Sequence, residues 1–143
     1  MNGAIIIFHR NHGGRQEFLI VQNAKTGNIS FVGGGRETGE TLEETAQREV
    51  KEELGLSPTQ YALVPTDVAH EFIFGSKKSE RTGQEGFYAV FLANADLLDD
   101  ISHTGDLESI AWKSKEDVLK ELSFEELKDV FVEAIKHIRD IHI

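Results

Sequence analysis

The stretch from Gly34 to Leu56, GGRETGETLEETAQREVKEELGL, specifies a helix at both ends and loads one side of it with acid. Thr41 and Glu44 form a T-x-x-E capping box, in which the threonine oxygen accepts from a free backbone N–H and the glutamate reaches back to the cap. The helix therefore starts at Thr41. Leu42, Ala46, Val50 and Leu54 recur every fourth residue and form an apolar stripe suited to lying on a sheet. Gly55, followed by Leu56 and Pro58, is a left-handed stop signal.

Glu49, Glu52 and Glu53 stand at i, i+3 and i+4, so their side chains emerge on one face of this helix. Like charges so placed repel, and a helix selected only for stability would interleave lysines among them. A hard, oxygen-seeking cation such as Mg²⁺ or Mn²⁺ turns that repulsion into coordination. Arg48 lies four residues from both Glu44 and Glu52, where it can pair with carboxylates, and Glu40 can reach the same region from the loop. An E-rich run alone is ordinarily a solvated helix face. Here Gly33, Gly34, Gly35 and Gly39 precede it, as suits a tight loop in which a carbonyl approaches a metal and backbone N–H groups approach a phosphate.

The positions Gly34, Glu40, Arg48, Glu49, Val50, Glu52, Glu53, Gly55 and Leu56 match the Nudix box, and the chain resembles a Nudix hydrolase of the MutT-like kind. The resemblance implies an α+β fold, with a mixed β-sheet sandwiched between α-helices. It also implies hydrolysis of the diphosphate linkage in a nucleotide or nucleotide derivative, assisted by Mg²⁺ or Mn²⁺. Glu49 and Glu53 would be the principal metal ligands, Glu52 a further or water-mediated one, and Gly33 a ligand through its carbonyl. Arg48 would orient Glu49, and Glu40 would assist behind them. The proton of the attacking water would go to Glu49 first, with Glu108 second and Asp106 third. Glu85 is a further acid at the start of a strand. One departure is Val32, where many members have proline; proline there stiffens a loop and supplies no ligand.

Length and composition agree with one domain spanning 1–143, long enough for a real core. The net charge of −10 argues against broad nucleic-acid binding, because displacing phosphate counterions needs a basic surface. A metal can still bring a small polyanion to an acidic pocket. Without cysteine the chain has no disulfide, thiolate zinc site or cysteine nucleophile, which is consistent with a reducing, cytoplasmic setting. The run Ala4–Phe8 is shorter than a signal-peptide core or a membrane span and reads as a buried strand. The six histidines show no paired ligand spacing. Trp112 reads as a core or sheet-edge residue. The oligomeric state is open, a homodimer included.

Phe18–Val21 is expected to pair with the first strand, and Ile29–Val32 leads into the glycines. Tyr61–Val64 and Val68–Phe74 read as two strands broken at Pro65–Asp67, Gly75–Gly86 as a polar loop, Phe87–Ala93 and Ser109–Lys113 as strands. Phe124, Leu127, Val130, Phe131, Ala134, Ile135 and Ile138 mark one long C-terminal helix.

Substrate choice is less constrained. The proline of ADP-ribose hydrolases and the upstream motif of coenzyme A hydrolases are absent, since Pro58 and Pro65 come too early. Where dinucleoside polyphosphate hydrolases often place a tyrosine, this chain has Phe72, Ile73 and Phe74, and Phe74 is a candidate to stack on a base. Gly83-Gln84 with Phe87 and Tyr88 loosely resembles a segment of that same branch. Arg36 and Arg81, with Lys25, Lys77 and Lys78, are candidates to meet phosphates. Nucleoside triphosphates, canonical or oxidised, are the first expectation, cleaved to monophosphate and pyrophosphate; dinucleoside polyphosphates are the second. The alternatives outside catalysis are a nucleotide-sensing module and an acidic protein-interaction domain.

Overall fold

A computed structural model describes residues 2–74, 84–98 and 100–138. The strands are β1 (Asn2–His12), β2 (Arg15–Asn23), β3 (Ile29–Ser30), β4 (Val32–Gly35), β5 (Leu63–Phe74), β6 (Gln84–Asn94) and β7 (Leu107–Lys113). The helices are α1 (Leu42–Leu54), α2 (Lys115–Glu121) and α3 (Glu125–Ile135). The strands form one mixed sheet with the order β3-β2-β1-β6-β5, to which β4 adds on β1 and β7 on β2. β1 and β6 run parallel, from Asn2 opposite Phe87 to His9 opposite Asn94, and the other pairings are antiparallel.

β1 is apolar without interruption because both of its faces are covered. Ala4, Ile6 and Phe8 pack with Leu19, Val21 and Phe91 beneath Ala46, Val50 and Leu54 of α1. Ile5 and Ile7 pack on the opposite face with Phe18, Ile20 and Leu92 beneath Val118 of α2 and Val130, Phe131 and Ala134 of α3. The sheet is thus held between α1 on one side and α2 with α3 on the other, as the resemblance implies. Val32, in the place of the usual proline, is fully buried beneath α1.

α1 has the ends its sequence specifies. Thr41 Oγ1 accepts from Glu44 N at 3.1 Å, Glu44 Oε1 accepts from Thr41 N at 2.9 Å, and Gly55 closes the helix at φ +72°. Leu42 is only partly buried, and Thr45 takes its expected place on the inner face. Among the described residues no helix is long and apolar enough to cross a membrane.

Four expectations are corrected. Gly33, Gly34 and Gly35 lie in β4 rather than in a loop, with Ala4 opposite Gly34 and Ile5 opposite Gly33; only Gly39 of the four glycines sits in a turn, at φ +88°. The break at Pro65–Asp67 is a bulge inside one continuous β5, where Pro65 faces Phe91 and Ala69 faces Ala89. Gln84–Gly86 open β6 instead of ending the preceding loop. The C-terminal helix begins one residue later, as α3, and a shorter helix not expected from the sequence precedes it: Ser114 caps α2 through Asp117 N at 3.2 Å, and Ser123 anchors the break between the two to β3 by accepting from Ile29 N at 2.7 Å. That break leaves Phe124 at the cap of α3, largely exposed rather than in the core.

Candidate active site

Gly34 shows why this segment needs glycine. A Cβ on it would lie 2.5 Å from the Glu49 Cδ and Oε1 atoms, so the bare backbone of β4 is what lets that carboxylate lie across the strand. Gly33 is equally constrained from below, where a Cβ would collide with the Ala4 carbonyl. Two glycines thus allow α1 to bring its acids down onto the sheet.

Arg48 organises one end of this acidic face. Its Nε donates to Glu40 Oε2 at 2.7 Å and its Nη2 to Glu40 Oε1 at 3.1 Å, a bidentate pair. Its Nη1 donates to Glu49 Oε1 at 2.8 Å, and Nη2 also donates to the Gly35 carbonyl at 2.8 Å, tying the helix to β4. Glu52 is a weaker partner at 3.3 Å, and its side chain is 56% exposed against 14% for Glu49. The anticipated Glu44 pairing is absent because that carboxylate caps the helix. Glu40 also accepts from Glu37 N and Thr45 Oγ1. These contacts, Arg48 foremost, hold the Glu40 carboxyl down at about 2, and Glu40 in turn holds the guanidinium above its ordinary value.

Glu53 has the opposite surroundings. It is partly buried, and desolvation is the main reason that its carboxyl is pushed well above the usual carboxylate range. Hydrogen bonding and charge from the adjacent Glu49 add to the rise, Glu52 contributes less, and the Gly33 N–H pulls the other way. Two neighbouring carboxylates, of which only Glu49 is paired with the Arg48 guanidinium, fit a hard divalent cation as a donor set. Glu49, Glu53 and the Gly33 backbone can hold such an ion, with Glu52 at the rim. Among the described residues no three acidic or imidazole side chains already converge as a closed cage.

These groups line a cleft of about 480 Å³, within the range of small-molecule sites. Glu49, Glu52, Glu53 and Asp106 form its acidic part; Val21, Asn23, Ser30, Phe31, Gly33, Gly105 and Leu107 complete it. The Asp106 loop is braced against the end of α1, because Thr104 N donates to the Glu53 carbonyl at 2.8 Å and Thr104 Oγ1 donates to the Glu52 carbonyl. Ala24 N donates to the Asp106 carbonyl at 2.8 Å and fastens the other side.

Glu108 does not line the cleft. Gln22 pairs with Ser109 and Asn23 with Leu107, so Glu108 is the extra residue of a bulge and stands exposed, while Asp106 lines the cleft. Arg36 is also outside it, donating from Nη1 to the Glu40 carbonyl at 3.1 Å. Arg81, Lys77 and Lys78 lie outside the described residues, as do the side chains of Phe74 and Glu85. Trp112 is partly buried against the α1 side of the core, with Arg10 stacked 4.3 Å above its ring. Asn23, Ser30 and Thr104 are cleft or bracing residues that sequence reasoning missed. Only Asn23 carried a signal, since N-A-K-T-G has the composition of a side-chain-stabilised turn.

The NUDIX domain family model matches residues 1–135. No curated protein matches the chain. Among solved structures, the C. elegans Ap4A hydrolase in a binary complex is similar at TM-score 0.81 and 21% identity, over 97% of this chain and 98% of that one. The E. coli dihydroneopterin triphosphate pyrophosphohydrolase is similar at TM-score 0.76 and 18% identity, over 90% of both chains. The MutT protein from Methanosarcina mazei Go1 is similar at TM-score 0.69 and 22% identity, over 93% of this chain and 91% of that one. At these identities the likeness is one of fold.

Proposed function

The chain belongs to the NUDIX domain family and is a Nudix pyrophosphohydrolase; from that premise we propose that it is a divalent-metal-dependent enzyme acting on nucleoside triphosphates, canonical or oxidised, to give monophosphate and pyrophosphate. The observation that carries the reading is the juxtaposition of Glu49 and Glu53 without a neutralising partner for Glu53 among the described residues, beside an arginine that already serves Glu40 and Glu49. Glu49, Glu53, Glu52 and the Gly33 carbonyl would hold Mg²⁺ or Mn²⁺. Such a cation supplies charge neutralisation on the phosphates and lowers the pKa of a bound water.

Arg48 fixes the Glu49 carboxylate, and Glu40 keeps Arg48 in place. Glu49 accepts the proton as the water oxygen bonds to phosphorus and the bridging oxygen departs with the leaving phosphate. Asp106 becomes the second candidate base, ahead of Glu108, because it lines the cleft. The whole of 1–143 acts as one catalytic domain in the cytoplasm.

Purified protein with Mg²⁺ or Mn²⁺ is offered nucleoside triphosphates, oxidised dGTP, diadenosine tetraphosphate, ADP-ribose and capped RNA, in ¹⁸O-labelled water. Label in the nucleoside monophosphate supports attack at the α-phosphorus, and label only in pyrophosphate moves it to the β-phosphorus. Preferred cleavage of the tetraphosphate makes the enzyme a dinucleoside polyphosphate hydrolase. Cleavage of none of them sinks the catalytic reading in favour of a nucleotide-sensing module.

A further inference from the structure

Every polar group of Asn23 except one is committed to the turn that follows β2. Its backbone N–H donates to the Asn28 carbonyl at 2.9 Å, and its own carbonyl accepts from Gly27 N at 2.8 Å. Its side-chain Oδ1 accepts from Lys25 N at 2.9 Å and Thr26 N at 3.0 Å. Two N–H donors demand an oxygen at that position, so the amide cannot be reversed. What remains is Nδ2, a two-proton donor without an acceptor among the described residues, on a side chain that borders the same cleft as the α1 carboxylates.

The cleft combines acidic and uncharged side chains. Glu49, Glu52, Glu53 and Asp106 repel a phosphate unless a cation intervenes, so the diphosphate belongs with a metal held by the α1 carboxylates, and a neutral amide donor is better matched to the uncharged moiety. Asn23 pairs across the strands with Leu107, next to Asp106, and Val21, Ser30 and Phe31 are further uncharged side chains of the same lining. We infer that Asn23 is a specificity-determining residue that donates from Nδ2 to an acceptor atom of a nucleobase, the uncharged moiety attached to the diphosphate. This rests on the proposed nucleotide reading. The turn already holds the amide rigid, so little ordering remains to be done when the base arrives.

The test keeps the turn and removes the donor. Asn23→Asp and Asn23→Ser both leave an oxygen for the Lys25 and Thr26 N–H groups, and only the aspartate adds charge. In the ¹⁵N-labelled full chain with Mg²⁺, the Asn23 amide pair is assigned by its loss in the variants and followed during titration with GMP, AMP, UMP and CMP. The pair is expected to shift with at least one of them. With the triphosphate cleaved best, KM is expected to rise about three- to tenfold in both variants, the scale of one neutral hydrogen bond, while kcat stays within about twofold. An amide pair unmoved by all four monophosphates overturns the inference. So does a serine variant with the parent KM, which would reduce any aspartate effect to charge. If the parent cleaves no triphosphate, the proposed activity fails, and the NMR titration alone still decides the role of Asn23.

Discussion

Glu40 and Glu53 belong to the same loop-and-helix unit, yet their carboxylates sit in opposite surroundings. Glu40 is clasped by the Nε and Nη2 donors of Arg48 and by two further donors, and its carboxyl is held at about 2. Glu53 has desolvation and a second carboxylate, and its carboxyl is pushed up. The first arrangement is complete within the protein. The second becomes favourable only when positive charge arrives from outside, which is where a ligand-binding function can be lodged at the expense of stability.

The largest effect expected from this contrast is catalytic. Glu53→Gln and Glu49→Gln keep size and lose charge at the end of the helix that needs a cation, so each should lower turnover by about 10²–10⁴-fold with the fold intact. Turnover beside circular dichroism checks this. Near-parent activity in either variant would remove that carboxylate from the site.

Next in size is the loss of the clasp itself. Arg48→Gln leaves Glu40 and Glu49 facing each other without their shared cation and unties α1 from the Gly35 carbonyl. At 21% side-chain exposure the arginine is only partly screened, and a loss of about 1–3 kcal/mol is expected in urea unfolding. Arg48→Lys restores charge without the fork and should recover only part of it. A lysine variant equal to the parent would mean that bidentate geometry contributes nothing here.

The helix and its acids were legible because the signals are local: a capping box, a four-residue apolar stripe and a glycine stop all lie within Thr41–Gly55. The covered faces of β1 were legible for the same reason, as an unbroken apolar run. What was missed depends on partners distant in sequence. The bulge that sets Glu108 aside and leaves Asp106 to line the cleft is a matter of register between β2 and β7. The bracing of that loop by Thr104 requires knowing that it meets the end of α1. The helix α2 escapes a sequence reading for a different reason: an S-x-x-D signal at Ser114 marks its start, but its seven residues are too few to show an apolar period before Ser123 ties the chain to β3.

The third effect is a pH dependence of the metal-free protein. The Glu53 carboxyl is raised in the folded state, so between the ordinary value of 4.5 and its folded value the native protein binds more protons than the unfolded chain. Stability therefore falls as pH rises through that window. Glu53→Gln removes the slope and should stabilise the metal-free protein by more than about 1 kcal/mol at pH 8, whereas saturating Mg²⁺ should favour the parent. An identical pH slope in parent and variant would place the cost elsewhere.

The smallest effect lies on the acid side and has the opposite sign. The Glu40 carboxyl is depressed from 4.5 to about 2, so the folded protein resists protonation that the unfolded chain accepts. Its contribution is fully present above 4.5 and disappears as pH falls through about 2. Because the amide of Glu40→Gln does not titrate, the variant should lose less stability than the parent between those values, while starting lower at neutral pH. Acid-unfolding curves in metal-free buffer at constant ionic strength measure the difference directly. Parallel acid limbs would show that Arg48 holds Glu40 no more tightly than it would in the unfolded chain, and the contrast between the two ends of the acidic face would then rest on Glu53 alone.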